Sequence, residues 1–424
     1  MLSSAEIFFR RPLAETDPEI AGALLEERSR QIEQVELIAP KNYMSRACRE
    51  VFTSLIPFTS VEGYPGKRYH AGIANIDRIE RLAMDRACRM FGAAHANVQP
   101  HSGTQANQAV YFSLLEPGDT VLSMDLSSGG HLSHGLRSNM SGRWFRTVSY
   151  GTDATGFIDY EQLADQAHMH RPRLIIVGGS AYPRTIDFAA VASIAKEVDA
   201  MTLADISHFS GLVVAGCCPS PFPHIDIVTT TTNKNLRGPR GGLIVCRDEQ
   251  VGRRIDSSVF PGIQGGPLPE MITAKAVCFG EALDPSFRDY AERVLAAARA
   301  MAEALAAAGF GIVTGGTDTP LVLVDLRGTG LTGDVAQAFL ERHGITTNRN
   351  LVPGDTEKPN VTSGIRIGSS AIAARGMGAE EGRELGQLIG TVLRRASQEG
   401  VAGDGDPAVI ERVKQFAAEF PIDG

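Results

Sequence analysis

Short apolar, β-branched runs alternate with stretches of helical periodicity through the first two thirds of the chain, and few folds accommodate that order. The runs are Thr120-Val121-Leu122-Ser123-Met124, Arg173-Leu174-Ile175-Ile176-Val177, Thr202-Leu203-Ala204-Asp205-Ile206, Ile225-Asp226-Ile227-Val228-Thr229-Thr230-Thr231-Thr232 and Gly242-Leu243-Ile244-Val245-Cys246. Runs this short, bounded by turn residues, read as buried strands. Helical spacing appears between and before them, for example Ile76, Ile79, Leu82, Ala83, Ala87 and Met90. The pattern predicts an α/β fold with a large, doubly wound, mainly parallel sheet. In such sheets ligands gather at the carboxyl ends of strands. Ser180, Asp205, His208 and Lys234 all fall at strand ends and are expected to converge on one pocket.

Lys234 stands at the mouth of a buried strand with Arg237 and Arg240 close by in sequence. Desolvation and neighbouring cations favour a neutral amine, which can form a Schiff base. A surface lysine in a basic turn is the plain alternative. Asp205, if buried, needs a partner. A protonated pyridine nitrogen is one, as in the electron sink of pyridoxal 5'-phosphate (PLP). The start Ser102-Gly103-Thr104 of a helix running to about residue 115 offers backbone N–H groups to a phosphate, or else is an ordinary N-cap. His131, in a loop after a strand, either stacks on a planar cofactor or is simply exposed. The Gly-rich, aromatic loop 62–72 is too long for a connector and reads as functional.

At 424 residues, two or three lobes are expected. The reading is an N-terminal helical arm (1–37), a large domain (38–283) and a smaller α+β domain (284–424). The arm's helix, 17–35, cannot bury much alone and is expected on another subunit or on the body. Two tail helices, 379–395 and 407–420, flank a polar turn at 400–405. A net charge of −8 and a pI near 5.7 give no reason to expect nucleic acid or an anionic membrane as partner. The six cysteines show no zinc or CxxC spacing, so no metal site and a reduced, cytoplasmic protein are expected. No signal-peptide pattern or membrane-spanning run is seen.

Several stretches taken together are more specific: Glu62-Gly63-Tyr64-Pro65-Gly66-Lys67-Arg68-Tyr69, Asn97-Val98-Gln99-Pro100-His101-Ser102-Gly103, Gln264-Gly265-Gly266-Pro267 and Thr362-Ser363-Gly364-Ile365-Arg366. From about residue 36 onward the chain resembles serine hydroxymethyltransferase, a fold-type I PLP enzyme. The resemblance implies that Lys234 holds the cofactor and Asp205 pairs with its pyridine nitrogen. It implies that His131 stacks on the ring and His208 lies near the phenolic oxygen. Ser102, Gly103 and Thr104 would hold the phosphate, helped across a dimer by Gly265 and Gly266. Tyr64 would line the neighbouring subunit's pocket, Arg366 would fork onto the substrate carboxylate, and Glu62 would be the active-site acid.

The chain also departs from that family's pattern. Pro40-Lys41-Asn42 replaces Ser-Glu-Asn; Ser60 and His70 replace tyrosines; Asn233 replaces a histidine; Lys358-Pro359-Asn360 replaces Ser-Pro-Phe. Ser60, His70 and Asn233 fall at substrate-side positions, which predicts a roomier pocket. The expected function is therefore cleavage of a bulky β-substituted amino acid, such as a cysteine S-conjugate in antibiotic biosynthesis, by C–S β-elimination or decarboxylative deamination. The alternatives are tetrahydrofolate-dependent serine/glycine hydroxymethyl transfer, transaldolation with an aldehyde acceptor, and a non-catalytic PLP-binding scaffold. Leu126, Leu132 and Asn350 leave folate use open, since leucines pack against any apolar group.

Overall fold

A computed structural model describes residues 3–399 and 405–422. The polar turn read at 400–405 therefore lies outside the described residues, apart from Gly405. The large sheet has seven strands: β1 (His95–Asn97), β2 (Thr120–Met124), β3 (Arg146–Tyr150), β4 (Leu174–Val177), β5 (Met201–Asp205), β6 (Ile227–Thr231) and β7 (Gly242–Cys246). Their order across the sheet is β1-β7-β6-β5-β4-β2-β3. The neighbours from β6 to β3 are parallel, and β7 runs antiparallel to both β6 and β1.

Burial follows position in the sheet. All four residues of β4 are buried, which suits a central strand covered by helices on both faces. The edge strand β3 is mostly exposed and polar, as an edge must be to resist further pairing. That polarity hid β3 from a search for apolar runs.

The helices α1 (Pro18–Glu33), α2 (Ala74–Phe91), α3 (Gly103–Leu114), α4 (Pro269–Ala282) and α5 (Ser286–Ala307) start or stop on recognisable signals. In α1, Asp17 caps the N–H of Ile20 at 3.0 Å and proline opens the helix. In α2, Gly92 ends the helix at φ +66°, where a side chain would be strained. Helix α1 buries no residue, and Ile20, Leu24 and Leu25 on it are exposed.

The C-terminal lobe carries the sheet β8 (Gly311–Ile312), β9 (Leu321–Asp325), β10 (Asn348–Asn350) and β11 (Gly364–Gly368), ordered β8-β9-β11-β10. Helices α6 (Ala379–Glu399) and α7 (Pro407–Glu419) complete it. Its core includes Val35 and Leu37, because Val35 and Glu36 pair in parallel with Ile345 and Thr346. Helix α5 serves both lobes: Val294 packs in the core of the large sheet, and Ala298 and Met301 in that of the small one.

Candidate active site

Strands β2 and β4 are neighbours whose onward connections leave in opposite directions, which opens a crevice at their carboxyl ends. The two exit loops lock together there. Gly129 carbonyl oxygen accepts from the N–H of Ser180 (2.7 Å) and of Ala181 (3.2 Å). A Cβ on Gly178 or Gly130 would run into the carbonyl of Asp205 or Met124, so the close approach demands glycine at both.

Asp205 ends β5 inside this crevice and is 6% exposed. Its Oδ1 accepts from the N–H (3.1 Å) and hydroxyl (2.6 Å) of Ser207. Its Oδ2 accepts from Asn107 Nδ2 (2.9 Å) and meets His134 Nε2 at 3.1 Å. Burial works to raise its pKa, but the bond and charge of His134, with His131 and Ser207, more than offset this and hold it well below the usual carboxylate range. Asn107 is itself fixed by Thr229 Oγ1, which donates to its Oδ1 at 2.6 Å. His131 is largely desolvated, which pulls it down to about 4 and keeps the ring neutral. Its Nδ1 accepts from the Ser133 N–H at 3.2 Å. Ligand atoms of His131, His134 and Asp205 lie within 4.8 Å of one another, but two of the three groups are already bonded to each other.

Lys234 follows β6, and its Nζ lies 3.0 Å from His208 Nε2. Desolvation, with help from Arg366 and Arg240, brings the amine down to about 8. Burial first, then Lys234 and Arg366, keep His208 neutral, well below the ordinary imidazole range. The backbone of Lys234 is held by Asn42, whose Nδ2 donates to its carbonyl at 2.8 Å and meets Tyr290 Oη at 2.8 Å. A second lysine, Lys275, is shifted further, to about 7, by burial. Its ammonium, however, donates to the carbonyls of Val98 (2.7 Å), Pro100 (3.0 Å) and Gly242 (2.8 Å). All three N–H bonds are committed, so Lys275 is a clamp between β1 and β7 and not a nucleophile.

Arg366, on β11, donates to the Ser180 carbonyl and, at 3.2 Å, to Asn348 Oδ1. Burial lowers it to about 10, and no carboxylate pairs with it among the described residues. It is a guanidinium placed to receive an anion. At the start of α3, Ser102 Oγ caps the Gln105 N–H at 3.2 Å, and Gly103 packs so closely on β6 that a Cβ would lie 2.6 Å from Thr231 Cγ2. The N-cap reading of Ser102 thus holds, while the N–H groups of Gly103 and Thr104 still face the helix mouth, where the dipole favours an anion. These groups fit PLP: an amine, an ionised acid for a pyridinium, neutral imidazoles and a helix start.

The remaining predicted positions, apart from Asn233 next to Lys234, share no hydrogen bond with this cluster among the described residues. Tyr64 spends its phenol inside its own chain: its Oη donates to the Asp256 carbonyl at 2.7 Å and accepts from Asn97 Nδ2 at 2.9 Å. Ser60 and His70 are exposed. Glu62 lies against Gly266 and pairs with His70. Gly265 and Gly266 follow Gln264, which accepts the His101 N–H at 3.1 Å and donates to the Gln99 carbonyl at 3.0 Å. Asn233 lines a cavity of about 590 Å³ with Pro40, Lys41, Asn42 and Arg240. The charge reversal at Lys41 is neutralised locally, since its Nζ meets Glu36 Oε2 at 2.7 Å. Sequence reasoning missed His134, Asn107 and Ser207. His134 lies three residues beyond His131, and Ser207 two beyond Asp205, so those two were within reach; nothing in the sequence pairs Asn107 with Asp205.

A family model for serine hydroxymethyltransferase matches residues 13–389. The chain belongs to that family. It is 53% identical to the serine hydroxymethyltransferase of Paramagnetospirillum magneticum over 99% of this chain and 100% of the relative. It is 51% identical to serine hydroxymethyltransferase 1 of Rhodospirillum rubrum, covering 97% of this chain and 94% of that one. A third relative, from Acidiphilium cryptum and of the same name, is 52% identical, covering 98% and 97%. The protein is therefore a PLP-dependent enzyme of fold type I, with transferase relatives.

These relatives overturn the expectation of a C–S-cleaving enzyme of antibiotic biosynthesis. Half the residues are shared over nearly the full length with proteins named for hydroxymethyl transfer. Within one chain, three of the departures add no room around Lys234. Ser60 and His70 sit on an exposed loop, and Lys41 is cancelled by Glu36. None of them touches the Asp205, His208 and Lys234 cluster.

Proposed function

We propose that the protein transfers a hydroxymethyl group between serine and glycine with tetrahydrofolate as the one-carbon acceptor. The observation that carries this is the Lys234 amine, brought to about 8 and set 3.0 Å from a neutral His208, at the same sheet end as the ionised Asp205. The relatives' shared name supports the choice of reaction. PLP, when bound, draws off the electron pair left at Cα when a bond there breaks.

The chain's residues then divide the work. Lys234 would anchor the cofactor, Asp205 would keep its ring nitrogen protonated, and His131 would lie against the ring. His208 would stand on the side of the phenolic oxygen. Ser102, Gly103 and Thr104 would hold the phosphate, joined by Gly265 and Gly266 of a second copy in a homodimer. Arg366 orients the substrate by its carboxylate, and Glu62 moves the hydroxyl proton. Leu126, Leu132 and Asn350 line the folate side. The place of action is the reducing cytoplasm, in keeping with cysteines that are all unpaired; no helix among the described residues is long and apolar enough to cross a membrane.

The test is to load purified protein with PLP, supply serine and tetrahydrofolate, and follow glycine and methylene-tetrahydrofolate. Stoichiometric, folate-dependent formation of both is expected. Serine left intact, or glycine formed equally without folate, overturns the reading.

A further inference from the structure

The hairpin Gly63–Tyr64 with Lys67–Arg68 closes so that the residues on either side of it, Glu62 and His70, face each other. His70 Nε2 lies 2.5 Å from Glu62 Oε2. The side chains are 47% and 33% exposed, so the pair adds little to stability and stands open to a ligand. Its geometry is nevertheless fixed from behind. The Tyr69 N–H donates to the Glu62 carbonyl at 3.2 Å. Arg68 donates to the carbonyls of Val61 and Gly63, both at 2.7 Å, to Asp77 at 2.8 Å and to the buried Glu80. A rigid hairpin thus presents a mobile-proton pair at its open end.

We propose that His70 is the proton partner of Glu62, so that imidazole and carboxyl handle one proton as a unit. This rests on the hydroxymethyl-transfer reading, in which Glu62 exchanges a proton with the substrate oxygen. The resting pair holds one proton between Nε2 and Oε2. As Glu62 Oε1 takes the proton of the substrate hydroxyl, the shared proton settles on Nε2 and the imidazolium so formed releases its Nδ1 proton to water. No electrons change hands, and the pair passes one proton to water for each one it takes from the substrate.

The surroundings favour such a pairing. Glu62 is held below the usual carboxylate range, first by its own backbone N–H and then by His70. The other charges nearby are engaged elsewhere: Arg68 with Asp77 and Glu80, and Arg81 with Asp77. Lys67 is exposed at the hairpin. The turn at Gly265 and Gly266, against which Oε1 rests, carries no titratable side chain; a Cβ on Gly266 would meet Oε1 at 2.9 Å. The position is one where this chain has histidine and the family pattern has tyrosine, and tyrosine does not exchange protons near neutral pH.

The experiment compares holoprotein pH profiles of kcat/KM for folate-dependent serine cleavage in wild type, His70→Gln, Glu62→Gln and the double variant. Glu62→Gln should cost about 10²–10⁴-fold, as for loss of a general acid–base group. His70→Gln should cost about 10-fold or more and remove one ionisation from the profile. The double variant should be no slower than Glu62→Gln. Superimposable profiles for wild type and His70→Gln, or losses that multiply, overturn the proposal. A readout independent of turnover is the ¹³C titration of the Glu62 carboxyl, assigned by its absence in Glu62→Gln. Its midpoint should move upward in His70→Gln, and an unmoved midpoint also overturns the proposal. A wild type that makes no glycine at any pH overturns the functional reading instead, and the carboxyl titration then decides the pair alone.

Discussion

Lys234 and Lys275 both titrate well below an ordinary lysine, and their hydrogen bonds assign them opposite work. At pH 7 an amine brought to about 8 is neutral in about one molecule in ten, against about one in three thousand at 10.5. Capture of PLP by the cofactor-free protein should therefore rise with pH around a midpoint near 8, followed by the yellow absorbance; a midpoint near 10 would contradict the assignment. Lys234→Ala should lose that absorbance and turnover while remaining folded. Lys275→Ala should instead lose about 2–5 kcal/mol of stability in urea unfolding, because the carbonyls of Val98, Pro100 and Gly242 lose their shared donor. The sign of its pH dependence follows from the lowered value. Between about 7 and 10.5 the unfolded chain binds the extra proton, so wild type should gain stability on Lys275→Ala as pH rises through that window.

At the scale of elements, the site depends on two exit loops and a helix being held in register. Asn107 on α3 reaches across to Asp205 on β5 and Thr229 on β6. Asn107→Ala takes one of four partners from the Asp205 carboxylate and leaves Thr229 Oγ1 without its acceptor, and should weaken PLP binding about 10-fold or more, measured by cofactor titration, with about 1–3 kcal/mol lost in stability. Gly178→Ala meets both a φ of +104° and the Asp205 carbonyl, so a folded yield well below wild type is expected. Gly118→Ala, where the space is open, should suffer only the strain of its φ of +96°.

At the scale of the molecule, two cores share α5, and the segment around Val35 belongs with the small lobe although it lies far ahead of it in sequence. If Gly265, Gly266 and Glu62 complete a second copy's site, activity per chain should fall on dilution as light scattering reports dissociation; constant specific activity in the monomer would remove that part of the proposal. Ile175→Ala, in the fully buried central strand, should cost about 2–5 kcal/mol.

The alternation of apolar runs and helical periodicity was sufficient for the α/β class, since a buried parallel strand must be apolar throughout and a covering helix must carry a stripe. It was sufficient, too, for Lys234, Asp205, His208 and Ser180 to be placed at strand ends. Edge strands β1 and β3 escaped because short or polar edges carry no such signal. Only the folded chain decided which lysine is free, since both are desolvated and the difference lies in three carbonyls remote in sequence. It likewise decided that Asp205 stays ionised, through Asn107 and His134, and that Lys41 is answered by Glu36. Sequence specifies which surfaces must be buried, and that fixes the architecture. The protonation and bonding of each polar group depend on which neighbours folding brings within about 3 Å, and no local pattern records that.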